Sequence, residues 1–484
     1  MRCPRACLAE RPVTSRTGPA VGLLLLLAST GVSCSDAGGR ATTLLVGVAK
    51  RDITPTPSTA PPAGNVYLGG YGFGPVRLST GVLAPIHVRA FVVSDGDETV
   101  AFAENETQGA FGAYKDGAFG AIDVARDVEA ATGGAIAREH VMVGSAHSHS
   151  GPDTTGIWGG LPDSYLQYLE AQTVGAILDA YAARKPARLA TGTADATDLL
   201  HSQFDAPPND QVDGELRVLV AEDPAQPAGA PGATRSILIN FAAHGTVMGA
   251  GNLLLSSDWP GVVAGQVEQA IGLDTAVVMV ADVGRTQPND SGVTGTTDPE
   301  RLQSYSSAVT ERVLAAAAST TPATGSKVDA AELFLRETYS NPFLPIALLG
   351  TAIARSNQPP WLDGSVVGTL VGAARVGDLF FAAAPGEAYP AIQFALEERV
   401  PSARHFIFGL ANDQLGYLIA PEEGYAQVAA AAPGNDNALF NVSPTFGDHA
   451  MCTLFKAARR IGFTLPDDPA KCAAYADEDT SLPF

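Results

Sequence analysis

Two histidines separated by a single serine, His147 and His149 in the stretch His-Ser-His-Ser-Gly-Pro at 147–152, directly follow the apolar run Val141-Met142-Val143-Gly144-Ser145-Ala146. If that run is a buried strand, an extended chain projects positions i and i+2 to the same side, so both imidazoles reach toward one point. Neutral imidazole is a common metal ligand, and hydrolytic zinc sites combine His with Asp or Glu while keeping a water bound. The residue types therefore point first to a hydrolytic metal centre. A His-x-His pair taken alone fits a pair of surface or hydrogen-bonded loop histidines equally well, so further ligands have to come from elsewhere in the chain.

The elements that would position them alternate between short apolar runs and longer, Ala-rich amphipathic stretches. Strands are expected over 43–48, 88–93, 99–103, 141–143, 236–241, 276–280, 378–383 and 405–410, and helices over 121–132, 165–183, 260–271, 299–317 and 391–400. This alternation predicts an α/β fold around a mixed, mostly parallel central sheet with helices on both faces. His244 follows the run Ile237-Leu238-Ile239-Asn240-Phe241, Glu387 follows Leu379 to Pro385, and Tyr417 follows Phe406 to Leu410 after a short loop. Each lies past a strand's C-terminal end, the edge where binding sites assemble in open α/β sheets. Each also has a plainer reading: His244 as a satisfied buried histidine, Glu387 as a favourable charge at a helix start, Tyr417 as a core or hydrogen-bonding side chain. His87 is expected to pack within a strand, His140 and His405 to be solvated ahead of strands, and Trp158 and Trp259 to serve core packing or line a pocket.

Composition narrows the functional classes. With 484 residues, 46% hydrophobic and 17% charged, the chain can bury a large core and does not read as disordered. A formal net charge of −21 argues against a nucleic-acid partner. Residues 1–34, with Arg2, Arg5, Arg11 and Arg16 ahead of an apolar run from Val21 to Ala28, read as a signal peptide. Cys34 after small residues suits a bacterial lipoprotein cleavage site as well as it suits simple cleavage nearby. Export is the expectation, to the periplasm, the outer membrane as a lipoprotein, or the medium. A linker at 35–45 and a single catalytic domain over 46–484 follow. Cys452 and Cys472 remain either as a disulfide or as two buried thiols.

Several spaced motifs resemble those of the neutral/alkaline non-lysosomal ceramidases, zinc-dependent amidases that cleave the N-acyl bond of ceramide. They are Gly47-Val48-Ala49-Lys50-Arg51-Asp52-Ile53-Thr54-Pro55, Gly70-Tyr71-Gly72, Arg89-Ala90-Phe91-Val92-Val93, Ala146-His147-Ser148-His149-Ser150-Gly151-Pro152, Asn240-Phe241-Ala242-Ala243-His244, Ser257-Asp258-Trp259-Pro260-Gly261, Pro385-Gly386-Glu387 and Gly416-Tyr417. The resemblance implies a zinc ion held by His147, His244, Glu387 and Tyr417, with attack on the amide by metal-bound water. It places His149 beside the metal, where it handles protons or binds substrate, and makes His147 part of the catalytic centre. Asp258, Gln287, Asn289 and His449 are expected around the site, Asp258 also being a candidate helix cap.

The pattern departs from the family in three places. The family's Gly-Asp-x-Ser-Pro-Asn element reads Gly284-Arg285-Thr286-Gln287-Pro288-Asn289, with Gln287 at the serine, which disfavours acyl-serine chemistry and leaves water as the nucleophile. The region where family members carry an arginine near the scissile group reads Leu200-His201-Ser202-Gln203-Phe204-Asp205, without one. The family's C-terminal β-sandwich is expected to be missing. The expected substrate is thus ceramide or another N-acyl lipid; the alternatives are a different amide or ester, or lipid binding without turnover.

Overall fold

Alternating apolar residues along the strands bury both strand faces, and the chain solves this by packing three sheets around a shared centre. The computed structural model describes residues 43–72, 74–204, 210–343, 361–420 and 436–483. The leader, Cys34, most of the linker and Asp205 lie outside these residues. From Thr42 to Phe484 the chain clusters as one unit.

The first five-stranded sheet contains β1 (Leu45–Asp52), β2 (His87–Ser94), β3 (Thr99–Asn105) and β4 (Val141–Ser145); the second contains β5 (Arg188–Asp195), β6 (Glu215–Glu222), β7 (Thr234–Phe241) and β8 (Ala276–Val280). The third contains β9 (Val328–Thr338), β10 (Val366–Val376), β11 (Leu379–Ala383) and β12 (Arg404–Phe408). The helices are α1 (Ala121–Thr132), α2 (Asp163–Ala182), α3 (Asp258–Ile271), α4 (Asp298–Ala318), α5 (Pro390–Arg399) and α6 (Phe446–Arg460).

The fold is mixed α/β, but the single, mostly parallel sheet expected from the sequence is not what forms. Within each of the three sheets only one pair of these strands is parallel: β3 with β4, β7 with β8, β11 with β12. The reason is connection length. Tight turns such as Asp95–Glu98 between β2 and β3, and Gly377 between β10 and β11, can only return a strand antiparallel. The parallel pairs are those joined through a helix, α1, α3 and α5 respectively. Strands β5, β6, β9 and β10 and helix α6 have no counterpart in the sequence reading.

Among the described residues, helices pack on one face of the first and second sheets, and the other face of each turns to the centre. In the first sheet Ala90, Val92, Ala101 and Val143 pack with Tyr165 and Leu166 of α2, while the intervening Phe91, Phe102 and Met142 face the centre. The second sheet likewise gives Val218, Ile239 and Val278 to α3 and α4, and Leu219, Leu238 and Met279 to the centre. The third adds Phe381, Phe406 and Phe408, so Phe102 meets Phe381 and Phe408 at ring-centroid distances of 4.9 and 5.2 Å.

Polar links lock the sheets together where the parallel pairs end. Asn412, with φ at 65°, donates its backbone N–H to Val143 O at 2.8 Å, and its side-chain Oδ1 accepts from Val143 N–H at 2.9 Å. The Asn240 amide donates to Met279 O and to Ile407 O, both at 2.8 Å. His140 and His405 are buried rather than solvated, their rings bonded to Thr99 O and Val400 O.

Cys452 on α6 and Cys472 in the 3₁₀ turn Ala470–Tyr475 form a disulfide across a sequence separation of 20. Closing a loop of that size constrains the unfolded chain by about 3 kcal/mol. Thermal melts with and without reductant are expected to show a lower midpoint for the reduced protein, and identical midpoints would contradict a stabilising role.

Candidate metal centre and cleft

His147 lies two residues past β4 with its backbone in the left-handed region, φ 54°, a conformation a non-glycine residue holds only where its surroundings impose it. His244 lies three residues past β7, Glu387 four past β11, and Tyr417 beyond β12, where the two-residue strands Glu387–Ala388 and Tyr417–Leu418 pair in parallel. One side chain or more thus comes from the helix-linked parallel pair of each sheet. All four residues lie past the C-terminal ends of these strands.

The imidazoles are oriented by backbone. His147 Nδ1 bonds Gln108 O at 2.9 Å and His244 Nδ1 bonds Thr286 O at 3.0 Å, which fixes the hydrogen on Nδ1 and leaves a lone pair on each Nε2. Both lone pairs face one carboxylate oxygen: Glu387 Oε2 is 3.4 Å from His147 Nε2 and 3.1 Å from His244 Nε2. His149 Nε2 is 3.3 Å from His147 Nε2. The three histidines form the group among the described residues whose donor atoms are close enough to share a metal ion, and all are buried. Burial pushes the Glu387 carboxyl up, but the His147 and His244 imidazoles outweigh it and hold the group well below the usual carboxylate range. Tyr417 hydrogen-bonds Glu387; burial first, then the charges of Glu387 and Asp436, raise its phenol well above the ordinary value.

His149 is held from three sides. Arg77 Nη1 donates to His149 O at 2.8 Å, the Tyr71 ring meets the imidazole edge-on at 4.7 Å, and Gly70 lies flat against it. A Cβ on Gly70, whose φ is +96°, would fall 2.2 Å from His149 Cγ, so only glycine fits there. Burial, with His147 and His244 adjacent, lowers the His149 pKa well below its ordinary value, which keeps the ring neutral. Its Nδ1 is buried without a hydrogen-bond partner.

These groups sit in a cleft of about 1020 Å³, open solvent at its mouth included. Phe111, Ile157, Trp158, Leu415, Phe440 and Val442 supply apolar walls. Trp158 is therefore a pocket residue, whereas Trp259 is fully buried and donates to Ala243 O and His244 O, steadying the turn that carries His244.

The surrounding residues expected from the sequence divide. Gln287 lines the cleft, its Oε1 accepting from Thr246 Oγ1 at 2.8 Å. Asp258, with φ 55°, opens α3 and accepts from Val247, Met248 and Trp259 N–H, bracing the loop after His244; burial pushes its carboxyl up to about 6. Asn289 is not among the cleft-lining residues and donates to Asp198 O at 3.0 Å. His449 is not at the site: Nδ1 pairs with Glu337 at 2.7 Å, Nε2 pairs with Glu478, and the ring stacks on Tyr475. Its motif placed it near the centre, but on α6 it faces the chain's C-terminal segment instead. Gln108, Gln203, Gln414 and Asn441 line the cleft as well and were not singled out, since isolated amides carry no spacing signal.

No protein-family model and no curated protein matches the sequence. Two solved structures do match in fold. The neutral ceramidase from Pseudomonas aeruginosa superposes with a TM-score of 0.67 at 17% identity, covering 90% of this chain and 77% of that one. A ceramidase complexed with C2 superposes with a TM-score of 0.64 at 18% identity, covering 88% and 77%. The resemblance read from the motifs thus holds at the level of the fold.

The relocated His449 makes its own prediction. Burial lowers its pKa, but Glu337 and Glu478 outweigh that and raise it, so its contribution to stability is fully present below the unfolded value of about 6.5 and is lost as pH rises through the folded value. Urea midpoints of the protein are expected to fall relative to those of His449→Gln as pH rises past neutrality. A difference between the two that does not change with pH would contradict the clamp.

Proposed function

Because the chain shares the fold of neutral ceramidases, we propose that it is a metal-dependent hydrolase cleaving the amide bond of an N-acyl lipid, with N-acylsphingosine the leading substrate. One observation carries the reading. Two imidazole lone pairs, their Nδ1 hydrogens already committed to carbonyls, face a carboxylate oxygen at 3.1 and 3.4 Å in a buried setting. Positive charge reconciles such a cluster, carried either as a second proton on a ring or by a cation held among the donors. The donor set, two His nitrogens with one carboxylate and a phenol close by, fits zinc.

His147, His244 and Glu387 would hold the ion, with Tyr417 as a fourth ligand. When bound, zinc polarises a carbonyl oxygen and makes water acidic near neutral pH. The rest falls to the chain. His149, neutral and with its ring fixed by Gly70, Tyr71 and Arg77, takes a proton from the attacking water and returns it to the departing amine nitrogen. The water oxygen bonds to the acyl carbon as the carbon–nitrogen bond breaks, giving a fatty acid and an amine. The apolar walls around Phe111, Trp158 and Phe440 suit the acyl chain. Gln287 offers no nucleophilic hydroxyl, in keeping with direct attack by water. The Cys452–Cys472 disulfide supports an exported protein.

A second reading, hydrolysis of a different amide or ester, is favoured by Gln287 at the serine position and by the lack of Lys or Arg among the described lining residues. Assays with a fluorescent N-acylsphingosine, an N-acyl amino acid and a simple ester separate the two. The N-acylsphingosine is expected to be the best substrate. Dialysis against a chelator is expected to abolish turnover and zinc to restore it, and His147→Ala or His244→Ala to lose activity to background. Gln287→Ala should cost about threefold or less. Full activity in the histidine variants or in metal-stripped protein would refute the mechanism.

A further inference from the structure

Directly after His-Ser-His-Ser-Gly-Pro the chain reads Asp153-Thr154-Thr155-Gly156-Ile157-Trp158-Gly159-Gly160. A carboxylate followed by small and glycine residues can fold its own backbone round itself, since Asp accepts from N–H groups a few residues on and glycine takes the positive φ such turns need. That is the fold observed. Asp153 is fully buried; its Oδ1 accepts from Thr155 Oγ1 at 2.9 Å and Gly156 N at 2.8 Å, and its Oδ2 accepts from Trp158 N and Gly160 N, both at 2.8 Å. Gly156 and Gly160 have φ of 85° and 71°. Hydrogen bonds to an ionised acceptor are the strong kind, so one carboxylate fixes the course of the whole loop.

The loop presents the indole of Trp158 to the backbone beside His149. Trp158 Nε1 donates to Gly72 O at 2.7 Å, and a Cβ on Gly69 would lie 3.2 Å from Trp158 Cε3, so the ring packs closely on that backbone. Gly74 N donates to Ile157 O at 3.2 Å. The backbone beyond Tyr71 is thus tied, at Gly72 and Gly74, to the loop wrapped on Asp153. Before Gly70, Gly69 N donates to Gly151 O at 3.1 Å and Arg77 Nη1 donates to Gly69 O at 2.8 Å. Gly70 and Tyr71, between these ties, are the residues that lie against the His149 ring. A place in the apolar wall accounts for the faces of the Trp158 ring but not for the N–H committed to Gly72.

The geometry points to Trp158, set in place by Asp153, as a positioning residue for catalysis: through Gly72 it holds the Gly70–Tyr71 cradle against the His149 ring. This rests on His149 being the proton-handling residue of the proposed hydrolase.

Trp158→Phe, which keeps an aromatic wall and removes only the N–H, separates the two roles. With the fluorescent N-acylsphingosine, kcat is expected to fall about tenfold while KM stays within about twofold, because a loosened cradle misplaces the proton-handling ring and leaves the wall intact. A second readout needs no turnover. In zinc-loaded protein carrying histidine labelled with carbon-13 at Cε1, the His149 signal, identified by its loss in His149→Gln, is expected to move in Trp158→Phe while that of His244 stays. Asp153→Asn, which leaves one acceptor oxygen where the loop uses two, is expected to move the same signal; Trp158→Phe decides the matter should Asp153→Asn fail to fold. A raised KM at unchanged kcat, or a His149 signal that does not move in Trp158→Phe, would overturn the inference. A moved His149 signal in a protein that cleaves no N-acyl amide would uphold the brace while removing the hydrolase reading.

Discussion

Everything at the centre of this molecule turns on an electrostatic conflict. Glu387 Oε2 stands within 3.4 Å of two imidazole nitrogens whose hydrogens are already placed on the far side of each ring. In water such a set would be solvated apart, but here it is buried, which strengthens the pull of the carboxylate on any positive charge placed among the rings. A positive charge shared among the donors is what reconciles them. The backbone carbonyls of Gln108 and Thr286 therefore matter as much as the side chains, because they decide which nitrogen of each ring faces the carboxylate.

The fold serves that arrangement. Each sheet contains one strand–helix–strand unit, and it is past the strands of these units that His147, His244, Glu387 and Tyr417 emerge. The inner sheet faces share one apolar centre with Phe102, Phe381 and Phe408, and Asn240 and Asn412 bond across the sheets near the ends of those strands. Position is thus held by close-packed aromatic rings and by buried amides that hydrogen-bond from sheet to sheet, both intolerant of small displacement. That rigidity lets side chains from distant parts of the sequence keep a common point.

Much of this was legible in the sequence. Short apolar runs marked the strands, and the polar residues just beyond them are the ones the fold brings together in the cleft, because a polar residue at a strand end interrupts a hydrophobic pattern. Strand direction was not legible: an apolar run reads the same whichever way its neighbour runs, and only the tight turns at Asp95 and Gly377 decide it. The β9 and β10 strands were hidden by their Ala, Gly and charged residues, which are poor strand signals although both strands form. Proximity to a motif misled for His449, since a helix turns successive residues to different sides.

The central claim is best tested by an anomalous-difference map at the zinc edge from crystals grown with zinc. The account predicts one strong peak within about 2.0–2.2 Å of His147 Nε2, His244 Nε2 and a Glu387 oxygen, with Tyr417 adjacent. An empty map at that point, or a peak bound elsewhere with Glu387 turned away from both rings, would contradict it.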